Sequence, residues 1–125
     1  MIILDTSVWI EFFKKNPDIF STAKKVLESE GVYSLECIFG ELLQGAKNNR
    51  ERDLIISYWK YLPRIDEKEI WIKAGKYSGE NRLASKGIGL IDAVIIIAAF
   101  RSKSKIWTLD KKLRKILDQE IIFIS

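Results

Sequence analysis

The chain alternates short, almost purely apolar runs with longer stretches whose apolar positions recur every three or four residues. Five runs, at residues 2–4, 32–34, 63–65, 106–108 and 121–124, are brief and rich in β-branched side chains, as strands covered on both faces are. Between them the period is helical. Residues 7–14 carry Val8, Trp9, Phe12 and Phe13; residues 18–28 open after the turn signal Asn16-Pro17; residues 35–47 follow Ser34, a candidate N-cap. Residues 51–61 and 67–85 are amphipathic, and Gly87-Ile88-Gly89 breaks the second. Residues 92–101 are apolar on nearly every side, which predicts a buried helix, while 110–117 set Leu113, Ile116 and Leu117 on one stripe. Strands alternating with helices predict an α/β fold, a three-layer α/β/α sandwich around a mainly parallel sheet of about five strands joined by right-handed crossovers. A chain of 125 residues is expected to form one domain, residues 1–125.

Three acids break this pattern. Asp5 ends the run Met1-Ile2-Ile3-Leu4, Asp92 stands alone inside the apolar stretch 88–100, and Asp110 follows Ile106-Trp107-Thr108-Leu109. A carboxylate beside a core segment loses hydration, a heavy cost unless a cation or hydrogen bonds compensate. In parallel α/β folds the functional crevice lies at the carboxyl ends of the strands. Asp5 and Asp110 fall at, or just past, such ends, and Asp92 would open a buried helix whose dipole favours an anion. Glu41, flanked by Phe39, Leu42 and Leu43 with Gly40 and Gly45 nearby, is a fourth candidate, although a Glu among apolar helix neighbours is more often an edge residue. Glu36 reads as a first-turn acid and Glu11 as part of a polar face.

Composition narrows the chemistry. There is no histidine, which removes Ser-His-Asp and Cys-His nucleophiles, histidine-based ribonuclease chemistry and almost all zinc sites. The single cysteine, Cys37, excludes an internal disulfide, fits a reducing cytosol and reads as a small buried hydrophobe. The longest apolar stretch holds Asp92 and falls short of the roughly 20 residues a membrane span needs. No basic leader precedes the first strand-like run, so a signal peptide is not expected and a cytoplasmic location is. Net charge is +4, and residues 101–115 hold seven basic side chains against one acid, Asp110. That segment, with Lys111, Lys112 and Arg114, is a candidate nucleic-acid contact or simply a solvated surface.

Should Asp5, Glu41, Asp92 and Asp110 converge, their mutual repulsion calls for a cation. Oxygen-only ligands favour Mg²⁺ or Mn²⁺. The natural substrate is then a phosphodiester, because such an ion both activates water and neutralises phosphoryl charge.

These residues resemble the PIN-domain ribonucleases, and within them the VapC-type toxins of toxin–antitoxin pairs. Ile3-Leu4-Asp5-Thr6-Ser7-Val8-Trp9-Ile10 is similar to the family's first strand and leading Asp. Glu41-Leu42-Leu43-Gln44-Gly45 resembles the segment bearing its Glu, residues 87–99 the third-acid segment, and Trp107-Thr108-Leu109-Asp110 the fourth. The resemblance implies a Mg²⁺- or Mn²⁺-dependent endoribonuclease with Asp5, Glu41, Asp92 and Asp110 as metal-holding catalytic residues and Ser7 or Thr108 in support. It also implies an RNA substrate, a cognate antitoxin and a homodimer. Many relatives carry Asn at the position of Asp110 and a further acid three residues on, where this chain has Leu113.

Other readings keep parts of the pattern. A dehalogenase-like phosphatase needs a second Asp where Ser7 stands, and a receiver domain needs paired acids that Ile2-Ile3-Leu4 does not supply. A PIN nuclease of RNA maturation and a non-catalytic PIN-like binding module remain as alternatives. For the aromatic residues the plainer readings are core or dimer contact for Trp9, Phe12 and Phe13. Packing is likewise expected for Trp59, Tyr61 and Trp71, with an antitoxin groove as the alternative.

Overall fold

The computed structural model describes residues 1–124; Ser125, the last position of the expected domain, lies outside them. β1 (Ile2–Leu4) leads into α1 (Thr6–Phe13) and α2 (Pro17–Ser29), then β2 (Val32–Tyr33), α3 (Glu36–Gly45) and α4 (Asn49–Tyr61). After α5 (Ile70–Glu80) and a 3-10 turn (Ala84–Lys86) come α6 (Leu90–Ser102), β3 (Lys105–Trp107) and α7 (Lys111–Ile116). The strands are parallel in the order β2-β1-β3, with Ile2 opposite Val32 and Lys105, and Leu4 opposite Trp107. The fold is the expected α/β arrangement, a parallel sheet flanked by helices.

The sheet is narrower than the five strands expected. Residues 63–65 and 121–124 contribute one-residue bridges, Arg64 to Ser34 and Ile122 to Ile106, rather than strands. Pro63 has no N–H to donate and only accepts, from the Ser34 amide at 2.9 Å. Near the other edge, the Ile121 and Ile122 amides both turn back to the Asp118 carbonyl, which leaves a short reach of free backbone for the ladder.

β1 is the centre of the core because every side chain on it is buried, as a strand covered on both faces requires. α6 is buried along Ala93 to Ile96 and at Ala98 and Ala99, in keeping with its all-round apolar sequence. One cluster of aromatic side chains gathers at α1. Trp9 stacks on Phe13 at 5.5 Å between centroids and meets Phe39 and Tyr58 edge-on. Tyr61, by contrast, is 82% exposed and Trp71 is exposed too, so packing does not account for them.

Most helix starts lie within two residues of those expected, and at α3 and α5 the difference has a physical reason. Ser34 does not cap α3: its hydroxyl donates to the Pro63 carbonyl, and the Glu36 amide is satisfied instead by Glu67 Oε2 at 3.1 Å. The helix expected from residue 67 begins at Ile70, because Glu69 is left-handed (φ 56) and breaks the helical path, while Arg101 donates to the Asp66 and Lys68 carbonyls, each at 2.7 Å. Its far end stops at Glu80, before Arg82 in a left-handed conformation. α6 begins two residues before Asp92, which places that acid in the first turn rather than at its entrance.

Burial ranks the aromatics. Trp9→Ala is expected to lower unfolding free energy by about 3–5 kcal/mol, whereas Tyr61→Ala should change it by less than about 0.5 kcal/mol. Urea unfolding of both variants checks this, and equal losses would contradict the packing described.

Candidate active site

β1 ends at Leu4, and the chain turns at once into α1 with Asp5 as the N-cap. The Asp5 amide donates to the Trp107 carbonyl at 3.0 Å, which locks this turn to the end of β3. The carboxylate is only 5% exposed. It survives there by hydrogen bonding: Ser7 Oγ donates to Oδ1, Thr108 Oγ1 donates to Oδ2, and the Val8 amide donates to Oδ1 at 3.3 Å. Burial still wins over these donors and pushes the carboxyl above its ordinary value.

The two hydroxyls do more than hold Asp5. Ser7 Oγ accepts from the Leu109 amide at 3.1 Å, and Thr108 Oγ1 accepts from the Asp110 amide at 3.0 Å. The loop after β3 is therefore tied to the start of α1. Asp110 in turn caps α7, accepting from the Lys112 amide at 2.9 Å. Leu113 points into the core and is fully buried, so no acid could serve there without rebuilding that packing.

Glu41 comes from the middle of α3 and reaches the same place. Thr6 Oγ1 donates to Glu41 Oε1 at 2.6 Å, joining α1 to α3. Asp92 comes from the first turn of α6. Its carboxyl is raised, first by burial and then by the negative charges of Asp110, Asp5 and Glu41, against the opposing Gly89 backbone N–H. Asp5, Glu41, Asp92 and Asp110 all line one open cavity of about 420 Å³, with Thr6, Ser7, Gly89 and Ile95 among the residues between them.

Among the described residues the one ion pair is Lys14–Glu11, so none of the four carboxylates is neutralised by a lysine or arginine. Nor do three of them stand close enough to hold a metal ion as a ready-made cage. The arrangement is a shared, unneutralised acidic pocket. Lys111, Lys112 and Arg114 are exposed on α7 and do not line it.

Two contributors escaped the sequence reading. Thr6 sits beside Asp5, yet nothing in the chain says that its hydroxyl meets a side chain 35 residues on. Gly89, expected only as a helix breaker, is the N-cap of α6, and its backbone N–H partly offsets the upward shift of the Asp92 carboxyl. Cys37, one turn before Glu41, is half-buried with its thiol pushed up to about 12 by burial and by Glu67 and Glu41. At neutral pH it is an inert thiol, not a nucleophile.

The sequence profile of the PIN domain matches residues 2–118. This chain belongs to the PIN domain family. Ribonuclease VapC32 of Mycobacterium tuberculosis is 28% identical to it over 120 residues, covering 91% of this chain and 88% of that protein. Among solved structures, VapBC2 from Rickettsia felis, bound to a DNA fragment from their promoter, superposes with a TM-score of 0.67 at 22% identity. That match covers 98% of this chain and 96% of the other. FitAcB from Neisseria gonorrhoeae gives 0.61 at 20% identity, with 90% of each chain covered. The expected resemblance to VapC-type PIN proteins is met, and the structural likenesses bear out the PIN fold.

Removing one charge from this PIN domain's pocket relieves repulsion without losing the Gly89 contact, since an amide oxygen accepts that bond as well. Asp92→Asn is therefore expected to leave metal-free stability unchanged or raise it by up to about 1 kcal/mol. A denaturation midpoint that falls by more than this would make Asp92 a structural residue.

Proposed function

We propose that this PIN domain protein is a Mg²⁺- or Mn²⁺-dependent endoribonuclease and the toxin of a toxin–antitoxin pair, acting in the cytoplasm. The observation that carries the reading is a pocket at the strand ends lined by four carboxylates without a cationic partner. Charge left uncompensated in this way suits a hard divalent cation. No three of these carboxylates close around one point, so Mg²⁺ would be held by one or two of them directly and by the others through its waters. Asp5, Glu41, Asp92 and Asp110 would hold the ion, directly or through water. When bound, it would supply activation of a water and neutralisation of charge on the phosphoryl oxygens.

The chain's own residues do the rest. Ser7 and Thr108 fix Asp5 in one orientation, so no side-chain reorganisation is needed there when substrate arrives. Thr6, next to Asp5, holds Glu41 at the pocket's wall. No histidine is present to shuttle protons through the ribose 2′-hydroxyl, which favours attack by water and a product with a 5′-phosphate. The kinship with Ribonuclease VapC32 supports RNA as the substrate.

A partner surface adjoins the pocket. Glu41 also lines a groove of about 290 Å³ between α1, α3 and α4, whose walls include Ile10, Leu42, Ala46 and Leu54. An amphipathic antitoxin segment laid there could place a basic side chain on Glu41 and close the pocket. Homodimer formation is part of the same reading, supported by the exposed apolar side chains Trp71 and Ile72 on α5 and Phe100 on α6.

The test is cleavage of RNA by the purified chain with and without divalent cation. Cutting should require Mg²⁺ or Mn²⁺, leave 5′-phosphate ends and fall to the uncatalysed level in Asp92→Asn. Activity that persists in EDTA, or 2′,3′-cyclic phosphate ends, would overturn the mechanism.

A further inference from the structure

Two basic segments far apart in sequence meet at Gly87. A Cβ added there would stand 3.1 Å from Lys112 Cδ and 3.2 Å from its Nζ, so the lysine side chain lies directly across the glycine. Gly87 has φ +78, a left-handed conformation, and closes the 3-10 turn that carries Lys86. The contact thus sets Lys112 of α7 against the turn bearing Lys86, with Arg82 just before it and Lys111 beside it on the helix. All four cations are exposed, and among the described residues none is within ion-pair distance of a carboxylate.

The position of this ridge gives it meaning. The 3-10 turn runs through Gly89 into α6 and Asp92, while α7 springs from Asp110. Each half of the ridge is therefore continuous with an acid-bearing wall of the pocket. One divalent cation in the pocket would match only the phosphodiester beside it, so affinity for the rest of a polyanion must come from cations at the margin. Lys112 is well suited to that task, because its stem rests on backbone at a position where any side chain would collide with it.

We propose that Lys86 and Lys112 form a two-segment phosphate track along which an RNA strand leaves the acidic pocket. The track rests on the ribonuclease reading but concerns binding, so the two are separable by experiment. Single-stranded RNA binding is measured by fluorescence anisotropy at several salt concentrations in the full chain carrying Asp92→Asn, which prevents cutting. Lys86→Met and Lys112→Met, which keep the apolar stem and remove the charge, are introduced singly. Each should weaken binding by about 3–10-fold at 0.1 M salt and reduce the slope of log affinity against log salt by about 0.7. Lys112→Arg should restore both, and thermal melting should not move.

Unchanged affinity and slope in both methionine variants, or no RNA binding by the Asp92→Asn chain even at low salt, would overturn the track. Cleavage by the wild-type chain is assayed in parallel. If it cuts while the methionine variants bind normally, only the track fails. If it does not cut while they lose RNA, the track stands and the ribonuclease reading fails.

Discussion

A carboxylate is held at the buried carboxyl end of the central strand, and much of the site's geometry follows from how Asp5 is kept there. Its two oxygens are met by hydroxyls from different parts of the chain, Ser7 at the start of α1 and Thr108 after β3. The same hydroxyls then accept from the Leu109 and Asp110 amides. One buried charge thereby becomes the knot between the N-terminal turn and the loop that carries another acid. Replacing it with an apolar side chain would orphan several donors at once, a larger loss than the single charge suggests.

The other acids are placed by different means. Asp110 caps α7, Asp92 faces the Gly89 N–H in the first turn of α6, and Glu41 depends on Thr6. Glu41 and Asp110 each accept a hydrogen bond, none of the three has a counter-ion among the described residues, and burial and mutual repulsion push Asp92 upward. The fold thus spends stability on a concentration of negative charge that local packing does not require. That uncompensated charge is the ground on which the proposal of a bound divalent cation stands.

Much of this was legible in the sequence. Asp5 and Asp92 interrupt apolar runs, and the alternation of strands and helices puts Asp5 and Asp110 at one edge of a parallel sheet. Periodicity also placed the buried helix around Asp92 within two residues. What it could not supply were long-range partners. Ser34 is a reasonable local cap, but Glu67 takes the Glu36 amide from across the fold. A helix from residue 67 is locally plausible, but Glu69 turns left-handed and Arg101 takes the Asp66 and Lys68 carbonyls from across the fold. The run at 63–65 has strand composition, yet Pro63 limits its pairing. Tyr61 looks like a packing residue and stands in solvent. In each case the local preference was sound, and a partner distant in sequence, or the want of one, decided the outcome.

The most direct test of the central claim is anomalous diffraction from crystals of this chain soaked in Mn²⁺. One strong peak is expected in the pocket between Asp5 and Asp92, lost from crystals of Asp92→Asn grown and soaked in the same way. No peak there, or one seated only at other surface acids such as Glu36 and Glu67, would contradict the account.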